Sequence, residues 1–138
     1  MCRVSREANM VHGQRKDFMY LAIDLGSTQF KTAVFNRKLE EIGRGAHTLK
    51  YTYPGKGGVE LDPAGLLTAL KQAIRQAIKS AGIQPSSLKA IAIDSQAQTF
   101  AVFDEKGKPQ SPFFSWLDER ATETALKMAS CKPWTGLS

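Results

Sequence analysis

The chain has 138 residues, with 19 Lys and Arg against 13 Asp and Glu, a formal net charge of +6, two Cys and 42% hydrophobic residues. That length suits one modest domain with a real core, and the ordinary apolar share argues against intrinsic disorder. No apolar run approaches the roughly 20 residues of a membrane-spanning helix, and the polar start lacks the apolar middle of a secretory signal, so a soluble, cytoplasmic protein is expected.

Residues 1–18 show no hydrophobic period and are expected to form a disordered lead-in. They hold Arg3, Arg6, Arg15 and Lys16 against Glu7 and Asp17, and the remaining positive excess is scattered without a basic block. Neither nucleic acid nor a membrane is therefore expected as a partner. Cys2 and Cys131 stand at opposite ends, so free thiols are expected unless the fold joins the termini. His12 and His47 are isolated, and no metal site built from side chains alone is visible.

From Met19 the character changes. Tyr20 to Leu25 is a short apolar run, as expected of a strand buried on both faces. Gly26 to Gln29 reads as a tight turn, and Phe30 to Phe35 alternates like a strand returning beside the first. After a second turn at Asn36–Lys38, a third strand is expected over Leu39–Tyr51, with a bulge near Gly43 and Gly45. Tyr53 to Gly58 is loop by composition, and its glycines lack the Walker spacing. Asp62 as N-cap and Pro63 at the first position open a helix. Its apolar stripe runs through Leu67, Leu70, Ile74, Ala77, Ile78 and Ala81, and Gly82 supplies the left-handed stop. Leu88–Asp94 and Thr99–Asp104 read as strands, Asp104–Pro109 as a hairpin turn, Pro112–Trp116 as a short strand and Asp118–Ala129 as a helix. The order is a mixed α/β design, with a long helix between strands three and four.

The first constellation with chemistry is Asp24-Leu25-Gly26-Ser27-Thr28-Gln29-Phe30-Lys31. A carboxylate ending a buried strand before a Gly-Ser-Thr turn suits a nucleotide phosphate. Gly26 admits close approach, the turn amides and the hydroxyls of Ser27 and Thr28 donate, Asp24 can hold a hydrated Mg²⁺, and Lys31 offsets charge. An ordinary hairpin with an Asp closing its strand matches the same residues.

Asp-x-Gly-Ser-Thr after an N-terminal strand resembles the first phosphate loop of the actin-like ATPase superfamily, whose domains are ribonuclease H-like. Four further stretches narrow the resemblance to the FGGY carbohydrate kinases: Ile91-Ala92-Ile93-Asp94-Ser95-Gln96, the hairpin Phe103–Pro109, Trp116-Leu117-Asp118-Glu119-Arg120, and Gly58-Val59-Glu60-Leu61-Asp62-Pro63. The family implies transfer of the γ-phosphate of ATP, with Mg²⁺, to a hydroxyl of a small-molecule sugar or polyol, in a cleft between two actin-like domains. By resemblance, Asp24, Gly26, Ser27, Thr28 and Lys31 face phosphates and metal, with Asp24 reaching Mg²⁺ through water. Gln96, Gln98, Trp116, Asp118 and Arg120 then fall in the acceptor pocket. Each also has a plainer interpretation: Trp116 as core, Asp118 as the cap of its helix paired with Arg120, Gln98 as a solvated side chain.

The sequence departs from the best-known patterns in having Ala97-Gln98 where the glycerol type has Arg-Glu and the xylulose type has His second. The family's catalytic base lies in the later part of domain one and its adenosine pocket mostly in domain two, so no catalytic residue is assigned here. The expected organisation is a lead-in at 1–18 and an incomplete N-terminal FGGY kinase domain at 19–138, with the rest of domain one and domain two absent. Met19 stands where such kinases begin. The expected activity is carbohydrate phosphorylation, with this piece inactive alone and a full-length form that is a homodimer. The alternative is a non-catalytic nucleotide-binding or interaction fragment of the same fold. Another actin-like ATPase would share the Asp24 loop without explaining Gln96 or Trp116–Arg120.

Overall fold

Three consecutive strands connected by short turns need no crossover and pair as a meander, and the computed structural model, which describes residues 18–130, shows this. β1 (Met19–Leu25) pairs antiparallel with β2 (Gln29–Phe35), and β2 pairs antiparallel with β3 (Glu41–Thr48). The expectations for residues 1–17, Cys131 and the last residues lie outside the described range.

α1 (Pro63–Ala81) then carries the chain back, so that β6 (Leu88–Ser95) lies parallel to β1. The main sheet has the order β3-β2-β1-β6, a mixed sheet with the long helix between its third and fourth strands. The Asp62 carboxylate accepts from the Gly65 amide at 2.6 Å, and Gly82 closes the helix at φ 65°, as the cap residues predict.

The packing keeps most of the expected stripe, since Ala77 is buried and Leu70, Ile74 and Ala81 pack against the core, but its deepest line is shifted. The fully buried line on α1 is Ala69, Ala73 and Ala77, whereas Leu67 is 51% exposed. Alanines are selected because α1 lies almost on the backbone of β3. A Cβ at Gly45 would strike the Ala73 carbonyl, and one at Gly43 the backbone of Ala81. The bulge does occur, opposite Val34 and Phe35, and it skips Ile42. The two glycines serve helix contact instead. The Thr32 hydroxyl seals this interface by donating to the Ala73 carbonyl at 2.8 Å.

The expected third strand is divided. It ends at Thr48, and Tyr51–Thr52 forms β4 of a second, smaller sheet with β5 (Glu60–Leu61) and β7 (Phe113–Phe114), in the order β4-β5-β7. Thr99–Asp104 is not a strand. It makes only isolated bridges, Phe100 with Phe114 and Phe103 with Pro109. The expected strand Pro112–Trp116 shrinks to β7. The last helix, α2 (Thr122–Ala129), starts later than Asp118, which does not cap it. No helix among the described residues is long and apolar enough to cross a membrane.

Candidate functional site

The β1–β2 turn is fixed by its carbonyls. The Leu25 carbonyl accepts from the Gln96 amide at 3.1 Å, the Ser27 carbonyl from the Tyr51 hydroxyl at 2.6 Å, and the Thr28 carbonyl from the Leu49 amide at 3.0 Å. None of the bonds that fix the turn uses the amides of Gly26, Ser27 or Thr28. The side chains of Asp24, Ser27, Thr28 and Lys31 have no hydrogen-bond partner among the described residues. Three backbone carbonyls are consumed inward while the turn's donors stay available, a polarity that suits an anion, and the unpartnered Asp24 carboxylate beside them suits a cation. Gly26 leaves little room for anything larger: a Cβ there would lie 3.0 Å from the Gln29 carbonyl and 3.5 Å from an Asp24 carboxylate oxygen.

Asp24 faces Lys31 in the β1–β2 register and Asp94 in the β1–β6 register. All three therefore share the sheet face opposite α1, where they line an open groove of 760 Å³. Asp94 is the residue that motif reasoning left out. Its signal is in the sequence, since Ala22-Ile23-Asp24 and Ala92-Ile93-Asp94 repeat the same ending on two neighbouring parallel strands. The carboxyl ends of such strands are where open α/β sheets bind ligands.

A second surface lies around Trp116, which is 51% exposed and is therefore not core. Its amide donates to the Thr99 hydroxyl at 3.3 Å. Behind it, the Asp118 carboxylate accepts from the Val59 amide at 2.9 Å and from Arg120 Nη2 at 2.6 Å. Arg120 Nη2 also reaches Glu60 Oε1 at 2.6 Å, and the guanidinium sits 5.4 Å from the Phe114 ring centre. The Arg120 hydrogen bonds, with the Val59 amide second, hold the Asp118 carboxyl well below the usual carboxylate range. Asp118 and Glu60 raise Arg120 above its ordinary value. Asp118 and Arg120 are committed to one another, while the Trp116 side chain is presented outward.

Gln98 occupies the left-handed region, at φ 61°. A non-glycine residue there is strained by roughly 1–2 kcal/mol. Gln96 sits apart from the Asp24 groove. It lines an apolar groove of 610 Å³ with Leu25, Leu66 and Phe113, and its Oε1 is buried without a partner among the described residues.

A description of the FGGY family of carbohydrate kinases, N-terminal domain, matches residues 19–132. The chain belongs to the FGGY family. Among its relatives, glycerol kinase 5 of Bos taurus is 33% identical over 123 residues, 88% of this chain and 22% of that protein. Glycerol kinase of Thermococcus onnurineus is 34% identical over 107 residues, 78% of this chain and 22% of the relative. The chain thus spans less than a quarter of the length of these FGGY relatives. The crystal structure of Plasmodium falciparum glycerol kinase with ADP superposes with a TM-score of 0.70 at 21% identity, over 84% of this chain and 24% of that one. The four-stranded mixed sheet with α1 is accordingly a part of the actin-like ATPase fold.

Proposed function

We propose that this FGGY region supplies the phosphate-facing turn and one acceptor wall of an ATP-dependent carbohydrate kinase, which moves the γ-phosphoryl group to a hydroxyl of a sugar or polyol. The observation that carries this reading is the β1–β2 turn, with its carbonyls occupied and its donors free. The amides of Gly26–Thr28 and the hydroxyls of Ser27 and Thr28 are suited to phosphate oxygens, and Lys31 offsets their charge. The hard oxygens of Asp24, with Asp94 beside it, suit Mg²⁺ held through water. Mg²⁺ bound there would neutralise phosphate charge as it redistributes in the transition state.

The exposed indole of Trp116 covers the apolar C–H side of a polyol or sugar, while the Asp118–Arg120–Glu60 cluster fixes the segment that carries it. Gln98 is assigned to the acceptor hydroxyls, since a strained backbone is retained where it aims a side chain. The acceptor class is supported by the relatives named as glycerol kinases, and Ala97-Gln98 sets this chain apart from the Arg-Glu pattern.

Phosphoryl transfer requires the acceptor oxygen and the γ-phosphate in line, together with a base that the family resemblance puts in a later part of the first domain. The 138-residue chain is therefore expected to bind Mg·ATP without turning it over. Calorimetric titration with Mg·ATP should show weak binding that Asp24→Ala reduces more than tenfold, by analogy with loss of a charge-assisted contact. Absence of binding by the unaltered chain would overturn the phosphate-turn reading. Turnover of any member of a polyol and sugar panel would overturn its inactivity alone.

A further inference from the structure

The hydrogen bond from Tyr51 to the Ser27 carbonyl, at 2.6 Å, joins residues 24 apart and comes from outside every motif described above. Tyr51 lies on β4, where it pairs with Leu61 while Thr52 pairs with Glu60. Glu60 in turn pairs with Phe114 on β7. The same Glu60 accepts from Arg120, and the Ser115 amide donates to the Val59 carbonyl at 3.0 Å. A strip three strands wide therefore runs from the phosphate-facing turn to the foundation of the Trp116 wall, with Tyr51 at one end and Glu60 towards the other.

We propose that Tyr51 is a positioning residue, whose hydroxyl holds the Ser27 carbonyl and so ties the phosphate turn to the acceptor wall at a fixed separation. This rests on the reading of the turn as a phosphate site. A tyrosine suits the task because its rigid ring has only two side-chain torsions, so little freedom is lost in holding a bond. The need for such a tether follows from the chemistry, since in-line transfer tolerates little displacement between donor and acceptor.

The test uses the 138-residue chain and its Tyr51→Phe variant, which removes one oxygen. Amide exchange by NMR should show the Leu49 amide, bound to the Thr28 carbonyl, opening about three- to tenfold more readily, as expected for one lost hydrogen bond. Amides in α1 should stay unchanged, and the dissociation constant for Mg·ATP should rise by about the same factor. Glu60→Gln should loosen both the Ser115 amide and the Leu49 amide, reporting transmission along the strip. Unchanged Leu49 protection in Tyr51→Phe overturns the tether, and an equal loss in α1 makes the residue merely structural. A loosened turn with unchanged Mg·ATP affinity overturns the positioning role. If the unaltered chain takes up no Mg·ATP, the phosphate reading falls separately, and the exchange result still decides whether Tyr51 holds the turn.

Discussion

Asp118 gains its low pKa from Arg120 and the Val59 amide, and this fixes the direction of its pH dependence. A carboxylate whose pKa is depressed in the folded state stabilises that state above its unfolded value, near 3.9, and loses the contribution as pH falls through the folded value. Melting midpoints measured from pH 7 down to pH 2 should therefore fall steeply below about pH 4 for the unaltered chain. Asp118→Asn should start lower and show a shallower acid slope. A second prediction concerns Gln98. Replacing it by Gly relieves the left-handed backbone and should raise stability by about 0.5–1 kcal/mol, read from urea unfolding. The motifs made Asp118 and Arg120 legible in the sequence as candidates, but not their role. Glu60 and Arg120 are 60 residues apart, and the pairing of β5 with β7, with the backbone bonds of Ser115 to Val59 and Glu119 to Gly57 beside it, brings them together. Tyr51 was hidden because its hydroxyl bonds a carbonyl 24 residues away, whereas the Asp94 signal stood in the repeated Ala-Ile-Asp ending and gains its meaning from the β1–β6 register.

At the scale of elements, the best-read part was α1, whose Asp62 cap and Gly82 stop are local signals. Its buried face was legible in Leu70, Ile74, Ala77 and Ala81, whereas Ala69 and Ala73 were not, because that part of the face is chosen by the partner. The apolar period marks the larger Leu70 and Ile74, yet where α1 meets the backbone of Gly43 and Gly45 the close approach is made at Ala73, Ala77 and Ala81. Gly45→Ala should cost at least 2–3 kcal/mol in chemical denaturation, as overpacking against a backbone carbonyl that cannot step aside. Asp62→Ala should cost about 1 kcal/mol through the lost cap, a clear contrast on the same helix. Thr99–Asp104 was misread in the opposite sense. Its short apolar run Phe100-Ala101-Val102-Phe103 has the composition of a strand, but only two isolated bridges form. Pattern reports which residues can pair, whereas a ladder also needs a neighbour of matching length.

For the molecule as a whole, β6 pairs only with β1 among the described residues, so its other edge is open. Ile91 and Ile93 lie on the side of the sheet occupied by α1, yet they are 58% and 66% exposed. Unpaired edges with apolar side chains promote association. Sedimentation velocity across a concentration series should show self-association of the 138-residue chain, and Ile91→Lys with Ile93→Lys should suppress it. A concentration-independent monomer would contradict this expectation.

The placement of β1 has one more consequence. Its antiparallel partner begins four residues beyond its end, whereas its parallel partner arrives only after β3, β4, β5 and α1. Closing the first pairing confines a few residues, while closing the second confines about seventy and must await the helix. During synthesis the meander can form as soon as it emerges, but its central strand keeps one flank empty until Leu88–Ser95 has been made. The ribosome thus releases the β1–β2 turn before β6 and the Gln96 amide just beyond it, which secures the Leu25 carbonyl. Until then the open flank of β1 is an unpaired strand edge, available to wrong partners.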